Sequence, residues 1–144
     1  MNKTWFITGS SRGLGRNLTE AVLKSGDKVV ATARDIDQLN DLKALYKDQI
    51  FPVALDVTNY EQVYSAVKTA AEHFGRIDVL VNNAGFGIIG AAEAYTSEQV
   101  RSQLETIYMP QLRLRVPSFL ICANRVQEGF YKSVLLADAL VIQA

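Results

Sequence analysis

The sequence predicts an α/β fold in which helices cover both faces of a parallel sheet, a doubly wound arrangement. Short apolar runs alternate with longer segments of helical period, which is the pattern of repeated strand–helix–strand units. A glycine-rich turn joins the first run to the first helical segment. The fourth run, residues 79–81, is apolar at every position, as expected for a strand inside a parallel sheet.

Composition narrows the class of protein. A chain of 144 residues with 49% hydrophobic and 21% charged residues is typical of one soluble globular domain. Fifteen Lys and Arg balance fifteen Asp and Glu, so no net field attracts nucleic acid or an anionic membrane. The single cysteine, Cys122, cannot form an internal disulfide, and no apolar run is long enough for a signal peptide or a membrane span. We therefore expect a cytoplasmic protein with neither nucleic-acid nor membrane partners.

The first two strand–helix units have clear boundaries. Residues 5–7 form the first strand, and the helix after it ends at Gly26. This helix is expected to bury one face, made of Leu14, Leu18, Ala21 and Val22. Residues 29–31 form the second strand, and Asp35 can cap a helix with the inner stripe Leu39, Leu42 and Leu45.

The third and fourth units follow the same pattern. Residues 50–55 form a third strand, where Pro52 indicates an edge position. Thr58 and Glu61 are expected to form a capping box for a helix that ends at Gly75. The residues that this helix should bury are Val63, Val67, Ala70 and Phe74. A glycine-rich loop, 85–90, follows the fourth strand, and Thr96 with Gln99 can cap a fourth helix that carries Val100 and Leu104. Beyond about residue 106 the pattern fades, and Pro110 and Pro117 interrupt the helical segment.

The turn after the first strand has the composition of a phosphate-binding loop. Its residues are Thr8, Gly9, Ser10, Ser11, Arg12, Gly13, Leu14 and Gly15. Glycines allow a tight turn and let the backbone approach a pyrophosphate. The helix N-terminus adds unpaired N–H donors and partial positive charge. An ordinary structural turn is the alternative, but the position between a strand and a helix favours dinucleotide binding.

From residue 1 to about residue 106 the sequence resembles the short-chain dehydrogenase/reductase family. The glycine spacing is T-G-x-x-x-G-x-G, the spacing of that family. Asp56 and Val57 follow the third strand, where family members bring a carboxylate to the adenine. Asn82-Asn83-Ala84-Gly85 matches the N-N-A-G that braces the sheet beside the cofactor. The resemblance implies a Rossmann fold with strand order 3-2-1-4. It also implies hydride transfer between a nicotinamide cofactor and a small carbonyl or alcohol substrate.

The resemblance also bears on the choice of cofactor. Family members that prefer NAD(H) end the second strand with an acid, whereas this sequence has Ala33 followed by Arg34. A guanidinium can pair bidentately with a 2′-phosphate, and Arg12 can add a second positive charge. NADP(H) is therefore favoured over NAD(H). Two alternatives stay open, since both arginines could simply face solvent and a shift of one residue could bring Asp35 to the ribose.

The family's catalytic residues could not be placed in this sequence. Members use a tyrosine as general acid/base in a Y-x-x-x-K pattern, a serine that orients the carbonyl, and an asparagine in the fourth helix. Tyr131 and Lys132 are adjacent, and no recognisable fifth strand precedes Ser118 or Ser133. Ile107 stands where the asparagine is expected. We therefore assign no catalytic residue, and expect the catalytic Y-x-x-x-K to be missing and the chain to be catalytically incompetent.

A frameshift is one hypothesis for residues 107–144. Read one nucleotide earlier, their synonymous codons allow a family-like continuation that begins with asparagine and contains V-L-P-Y-L-R and I-L-Q-I. On this interpretation residues 1–106 are the NADP-binding half of a Rossmann fold that is incomplete at its C-terminal side. The fourth strand then becomes an unprotected edge that lowers solubility. The gene sequence around codon 106 decides this hypothesis.

Three functions remain open: an NADP-dependent carbonyl reductase or alcohol dehydrogenase, a catalytically inactive dinucleotide-binding chain, and an interaction module. The resemblance implies a homo-oligomer formed through the fourth and fifth helices, which is doubtful if the later residues are out of frame. His73 has no second ligand at a metal-binding spacing, so we expect a surface histidine and no metal site.

Overall fold

The structure is a computed structural model that describes residues 2–87, 91–110, 114, 132–136 and 139–143, the last two ranges by their backbone. The strands are β1 Thr4–Ile7, β2 Lys28–Ala33, β3 Ile50–Ala54, β4 Val79–Asn82, β5 Lys132–Leu136 and β6 Ala139–Gln143. The helices are α1 Gly13–Lys24, α2 Asn40–Tyr46, α3 Tyr60–Phe74 and α4 Ser97–Gln103. Short 3₁₀ turns cover Ile36–Leu39, Lys47–Gln49 and Ala92–Ala94, and α4 continues into a π-helical turn, Leu104–Tyr108.

Six strands form one sheet in the order β3-β2-β1-β4-β6-β5. The first four are parallel, with Phe6 in register with Val30 on one side and Leu80 on the other. This confirms the predicted order 3-2-1-4 and the predicted α/β fold class. β3 lies at the edge, where the proline at position 52 removes one backbone donor at little cost to the sheet.

The expectation of an unprotected β4 edge is wrong. β6 pairs with β4 in antiparallel orientation, placing Ile142 opposite Leu80 and Val141 opposite Val81, and β5 pairs antiparallel with β6. The backbone groups of β4 are therefore bonded on both sides, so an open edge gives no reason to expect low solubility. The sequence of β6, ALVIQ, is apolar enough for a strand, but no clear turn residues mark its boundaries in the sequence.

Two apolar cores lie on opposite faces of the sheet, as a doubly wound fold requires. Alternate residues of β1 point to opposite faces, so Phe6 joins one core and Ile7 the other. The Phe6 core contains the buried stripe of α3 together with Leu114, and the Ile7 core contains residues of α1 and α2.

Some of the predicted helix faces differ from the structure. In α1 the buried residues are Gly15, Thr19, Val22 and Leu23, while Leu14 is 57% exposed and Ala21 is exposed. Leu14 lies in the first turn, which opens toward a cleft rather than the core. Leu45 is 70% exposed because a 3₁₀ turn precedes α2 and shifts its helical phase. Val100 and Leu104 are also exposed.

The ends of α3 confirm one prediction and correct another. Gly75 follows the last turn in the left-handed conformation, with φ 76°, as predicted. At the other end the cap is Asn59, whose Oδ1 accepts from the backbone N–H of Gln62 at 3.1 Å. The predicted capping box of Thr58 and Glu61 is therefore wrong, because α3 begins at Tyr60 and Asn59 occupies the N-cap position, while Thr58 donates to Asp56. The predicted box of Thr96 and Gln99 on α4 is confirmed.

Asn59→Ala is expected to lower the free energy of unfolding by about 1 kcal/mol, since it removes an N-cap. Glu61→Ala is the comparison variant and should lower stability by less than Asn59→Ala, because it removes only a favourable charge in the first turn of the helix, worth roughly 0.3–1 kcal/mol at low ionic strength. Urea denaturation of the two variants measures both values. A larger loss of unfolding free energy in Glu61→Ala than in Asn59→Ala would contradict the assignment of Asn59 as the N-cap.

Candidate functional site: a dinucleotide cleft

A cleft of about 720 Å³ lies at the carboxyl ends of the parallel strands. This volume falls in the range of small-molecule and cofactor sites, and the position is where doubly wound folds bind ligands. Eleven predicted site residues line it: Gly9, Ser11, Arg12, Gly13, Leu14, Arg34, Asp56, Val57, Asn83, Ala84 and Gly85. Four others, Thr8, Ser10, Gly15 and Asn82, are buried behind it.

The glycine turn adopts a shape that side chains would obstruct. Gly9 and Gly13 have φ values of 71° and 58°, in the left-handed region. A Cβ on Gly15 would collide with Asn83 Nδ2 and with the carbonyl oxygen of Gly9. The turn therefore keeps an open backbone surface at the N-terminus of α1, which is the feature that a bound pyrophosphate needs.

Thr8 and Asn83 lock this turn to the end of β4. Thr8 Oγ1 accepts from the backbone N–H groups of Asn83 and Ala84, both at 2.9 Å, and donates to the carbonyl of Val81 at 3.2 Å. Asn83 Nδ2 donates to the carbonyls of Thr8 at 2.9 Å and Gly9 at 3.2 Å. Thr8 thus acts on the cleft through its neighbours rather than by facing it.

Ser10 braces the turn from the other side. Its hydroxyl donates to the carbonyl of Ile7 at 3.0 Å, and its backbone N–H donates to the carbonyl of Thr32 at 2.8 Å. Thr32 Oγ1 donates to the same Ile7 carbonyl at 3.2 Å. The turn is therefore bonded to both neighbouring strands before any ligand arrives.

Asn82 is the exception among these polar residues. Its side chain is 7% exposed, and neither its Oδ1 nor its Nδ2 has a hydrogen-bond partner within the part of the chain that the structure describes. Leu140 of β6 lies opposite it in the antiparallel register.

The positive charge of the cleft comes from Arg12 and Arg34, which are both exposed on its lining. Across residues 2–87 and 91–110, neither guanidinium forms an ion pair. Asp35 is engaged elsewhere, because its Oδ1 accepts from the backbone N–H of Asp37 at 3.0 Å and its Oδ2 from Gln38 Nε2 at 3.3 Å. Its predicted role as a cap is confirmed, on the 3₁₀ turn Ile36–Leu39.

Asp56 is held in its ionised form. The pKa of Asp56 is lowered, first by the hydroxyl of Thr58 at 2.7 Å and then by the Thr58 backbone N–H at 2.9 Å. Partial burial opposes this shift in the pKa, and the charge of Arg34 adds to it. The cleft therefore carries a fixed carboxylate beside its third strand.

The cleft lining also includes Ala33, which the sequence places at the cofactor, and five residues that the sequence does not indicate as site residues: Leu55, Thr58, Phe86, Ser102 and Thr106. Leu55 is the last residue of the predicted third strand and directly precedes Asp56, so its place at the carboxyl end of that strand could have indicated it. Ser102 and Thr106 are four residues apart in and after α4, a spacing that puts two hydroxyls on one face.

The sequence contains one pair with the Y-x-x-x-K spacing, which lies away from the cleft and is not the catalytic pair that we expect to be missing. The spacing occurs once, at Tyr64 and Lys68. Both side chains are exposed on α3, where Lys68 pairs with Glu72 at 3.9 Å, and neither lines the cleft. Ser118 and Tyr131 lie outside the described residues, and Ser133 and Lys132 are described by backbone only.

His73, the one histidine considered as a metal ligand, packs against an aromatic ring. His73 stacks on Phe51 with ring centroids 3.9 Å apart. In the described segments, no group of three or more His, Cys, Asp or Glu side chains could hold a metal ion. None of the helices described there is long and apolar enough to cross a membrane.

Comparison with known proteins identifies the family. Residues 3–114 match the family model for short chain dehydrogenases. An oxidoreductase named BOA17 from Botryotinia fuckeliana is 51% identical over 110 residues, which cover 76% of this chain and 40% of that protein. The chain belongs to the short-chain dehydrogenase family, and it spans well under two thirds of the length of this relative.

Solved structures agree with the fold. A short-chain dehydrogenase from Streptomyces avermitilis superposes with a TM-score of 0.82 at 37% identity, covering 87% of this chain and 46% of that one. ElxO with NADP bound gives 0.80 at 27% identity over 87% of this chain and 52% of that one. A 3-ketoacyl-(acyl-carrier-protein) reductase from Brucella melitensis complexed with NADH superposes with a TM-score of 0.77 at 29% sequence identity. The superposition covers 88% of this chain and 54% of that one. Family members thus bind either nicotinamide dinucleotide.

Thr58→Val is expected to raise the pKa of Asp56 toward its ordinary value, because the variant removes the largest cause of the lowered pKa while keeping the side chain's shape. In the unmodified chain, Asp56 contributes stability that is present above the unfolded pKa, roughly 4, and is lost as pH falls through its lower folded pKa. Carboxyl NMR titration measures this pKa, with Thr69→Val as the control. An unchanged pKa in Thr58→Val would contradict the assignment.

Proposed function

We propose that the cleft binds NADP(H) and that the chain is the cofactor-binding part of a short-chain dehydrogenase that acts on carbonyl or alcohol substrates. One observation carries the choice of NADP(H). Two guanidinium groups, Arg12 in the glycine turn and Arg34 after β2, line the cleft without an ion-pair partner in the described chain, while the nearest acid on the same strand end, Asp35, is bonded to its own turn.

A 2′-phosphate can pair with the guanidinium groups at this end of the cleft. A guanidinium offers several donors in one plane, so Arg34 can form two parallel charge-assisted hydrogen bonds to phosphate oxygens. Arg12 precedes the first turn of α1, whose dipole adds positive potential at the same end. Ala33 has a small side chain at the end of β2 and leaves room for the group.

Asp35 favours the same cofactor. An acid at the ribose would accept hydrogen bonds from the two hydroxyls of NAD(H) and would repel the extra phosphate of NADP(H). To reach the ribose, this carboxylate must release the backbone N–H of Asp37, which then loses its cap. The structure of the turn Ile36–Leu39 thus supports NADP(H) over the alternative register considered from the sequence.

The part of the cleft beside Arg34 suits the adenine ring. Asp56 provides a fixed carboxylate that can accept from an exocyclic amine, as the family resemblance implies. Val57 and Leu55 supply apolar surface beside it, and Ser102 and Thr106 provide hydroxyls from the α4 side. This division leaves Asn83, Ala84 and Gly85 along the middle of the bound molecule.

We further propose that this chain binds the cofactor without reducing a substrate. When bound, the nicotinamide supplies the hydride, and the protein must provide a proton donor beside the substrate carbonyl. Among the described residues that line the cleft, none is a tyrosine or a lysine. The division at residue 106 fits this proposal, because the family match ends shortly after it, at residue 114. A cytoplasmic location, a small carbonyl substrate and oligomerisation belong to the proposal for the whole protein.

Isothermal titration with NADPH and NADH tests the choice of cofactor. We expect NADPH to bind more tightly, and Arg34→Ala to weaken NADPH binding by roughly tenfold to a hundredfold, the effect of charge-assisted hydrogen bonds worth about 1.5–3 kcal/mol. NADH binding should change by about twofold or less. Arg101→Ala on α4 is the matched arginine control. Equal losses for both cofactors in Arg34→Ala would refute the phosphate role.

A further inference from the structure

We infer that Arg16 is a positioning residue for the 2′-phosphate site, which it serves without touching the ligand. The inference rests on the proposed NADP(H) function. Arg16 lies in the first turn of α1, directly after the glycine turn, yet its side chain is not part of the described cleft lining. It extends instead toward the segment that follows Arg34.

The contacts of Arg16 join two parts of the chain. Its Nε donates to Glu20 Oε1 at 2.9 Å within α1, and its two terminal nitrogens reach the carbonyl of Gln38, at 3.3 Å, and the carboxylate of Asp41. The side chain of Arg16 is 23% exposed, whereas that of Asp41 is 63% exposed. Glu20 therefore orients the guanidinium, and the contacts with Gln38 and Asp41 connect α1 to the next unit.

This connection leads to the phosphate-binding arginine in two steps. The carbonyl of Gln38 takes the hydrogen bond from Arg16, while the Gln38 side chain donates to Asp35 Oδ2 at 3.3 Å. Asp35 is the cap of the turn and the neighbour of Arg34. Arg16 thus fixes where the chain leaves β2 relative to the glycine turn that carries Arg12.

The pKa shifts of the two groups are consistent with this ion pair. The hydrogen bond to Arg16 is the largest cause of a lowered pKa at Asp41, and the same bond is the largest cause of a raised pKa at Arg16. Both groups are charged at neutral pH, so the ion pair can form there.

Loosening this connection should not unfold the domain. Leu39, at the end of the turn, is fully buried and anchors the segment in the core. The rest of the turn is exposed, including Ile36 at 42%. Without Arg16 the turn is still held in the core by Leu39, but the residues near Arg34 become more mobile. The position of the Arg34 side chain should therefore change while the fold is retained.

The position of Arg34 should affect the binding of NADP(H) but not that of NAD(H). The pyrophosphate, adenine and nicotinamide are common to both, and they meet the glycine turn, Asp56 and Asn83. The 2′-phosphate belongs to NADP(H) alone and is the group proposed to meet Arg34. A positioning role for Arg16 therefore predicts a selective loss of NADPH affinity, whereas general destabilisation would weaken both cofactors alike.

Titration calorimetry of Arg16→Ala and Asp41→Asn with NADPH and NADH tests this. We expect each variant to lose roughly threefold to tenfold in NADPH affinity, a typical effect of residues that act without ligand contact, and less than about twofold in NADH affinity. Lys24→Ala is the control, because it removes only the 3.8 Å pair with Glu20 inside α1. If Arg16→Ala does not fold, Asp41→Asn carries the test.

The double variant Arg16→Ala/Arg34→Ala separates this inference from the proposed function. If Arg16 acts through Arg34, its replacement causes no further loss of NADPH affinity once Arg34 is gone. An additive loss overturns the inference, and so does an equal effect of Arg16→Ala on both cofactors or an effect on neither. If Arg34→Ala itself does not distinguish NADPH from NADH, the proposed cofactor fails, and the inference fails with it.

Discussion

The interlock between Thr8 and Asn83 is the constraint on which the cleft depends. The hydroxyl of Thr8 accepts from two consecutive backbone N–H groups after β4, and the Asn83 amide returns hydrogen bonds to the turn after β1. The same amide occupies the space that any side chain on Gly15 would need. Thr8, Gly15 and Asn83 therefore pack together, although Asn83 is distant from the other two in the sequence. Their packing keeps the backbone surface at the start of α1 open.

Around this unit, the acidic groups are engaged and the cleft's cations are left available. Asp35 caps its own turn, Asp41 pairs with Arg16, and Asp56 is bonded to Thr58. Arg12 and Arg34 face the cleft without an ion pair in the described chain. Because an unpaired cation next to a helix N-terminus favours an anion, the local charge pattern would favour a phosphate although the chain as a whole has formal net charge +0.

The strand order, the glycine turn and most of the cleft lining could be predicted from the sequence. These features depend on apolar runs and on a glycine spacing that is typical of a phosphate-binding turn. It was insufficient where two local solutions compete. Thr58 could cap α3 or bond to Asp56, and only the path of the chain decides. Leu14 has helical spacing but lies in the turn that faces the cleft. The β6 cover of β4 and the approach of Ser102 and Thr106 depend on long-range packing that no local pattern contains.

Backbone amide NMR during titration with NADPH tests the central claim most directly, because it observes the turn itself. We predict that the largest shift changes fall on the N–H groups between Gly9 and Gly15, with those of Asn83 and Ala84 following through the interlock. Saturating changes confined to other parts of the chain, or no change in the turn at saturating NADPH, would contradict the account.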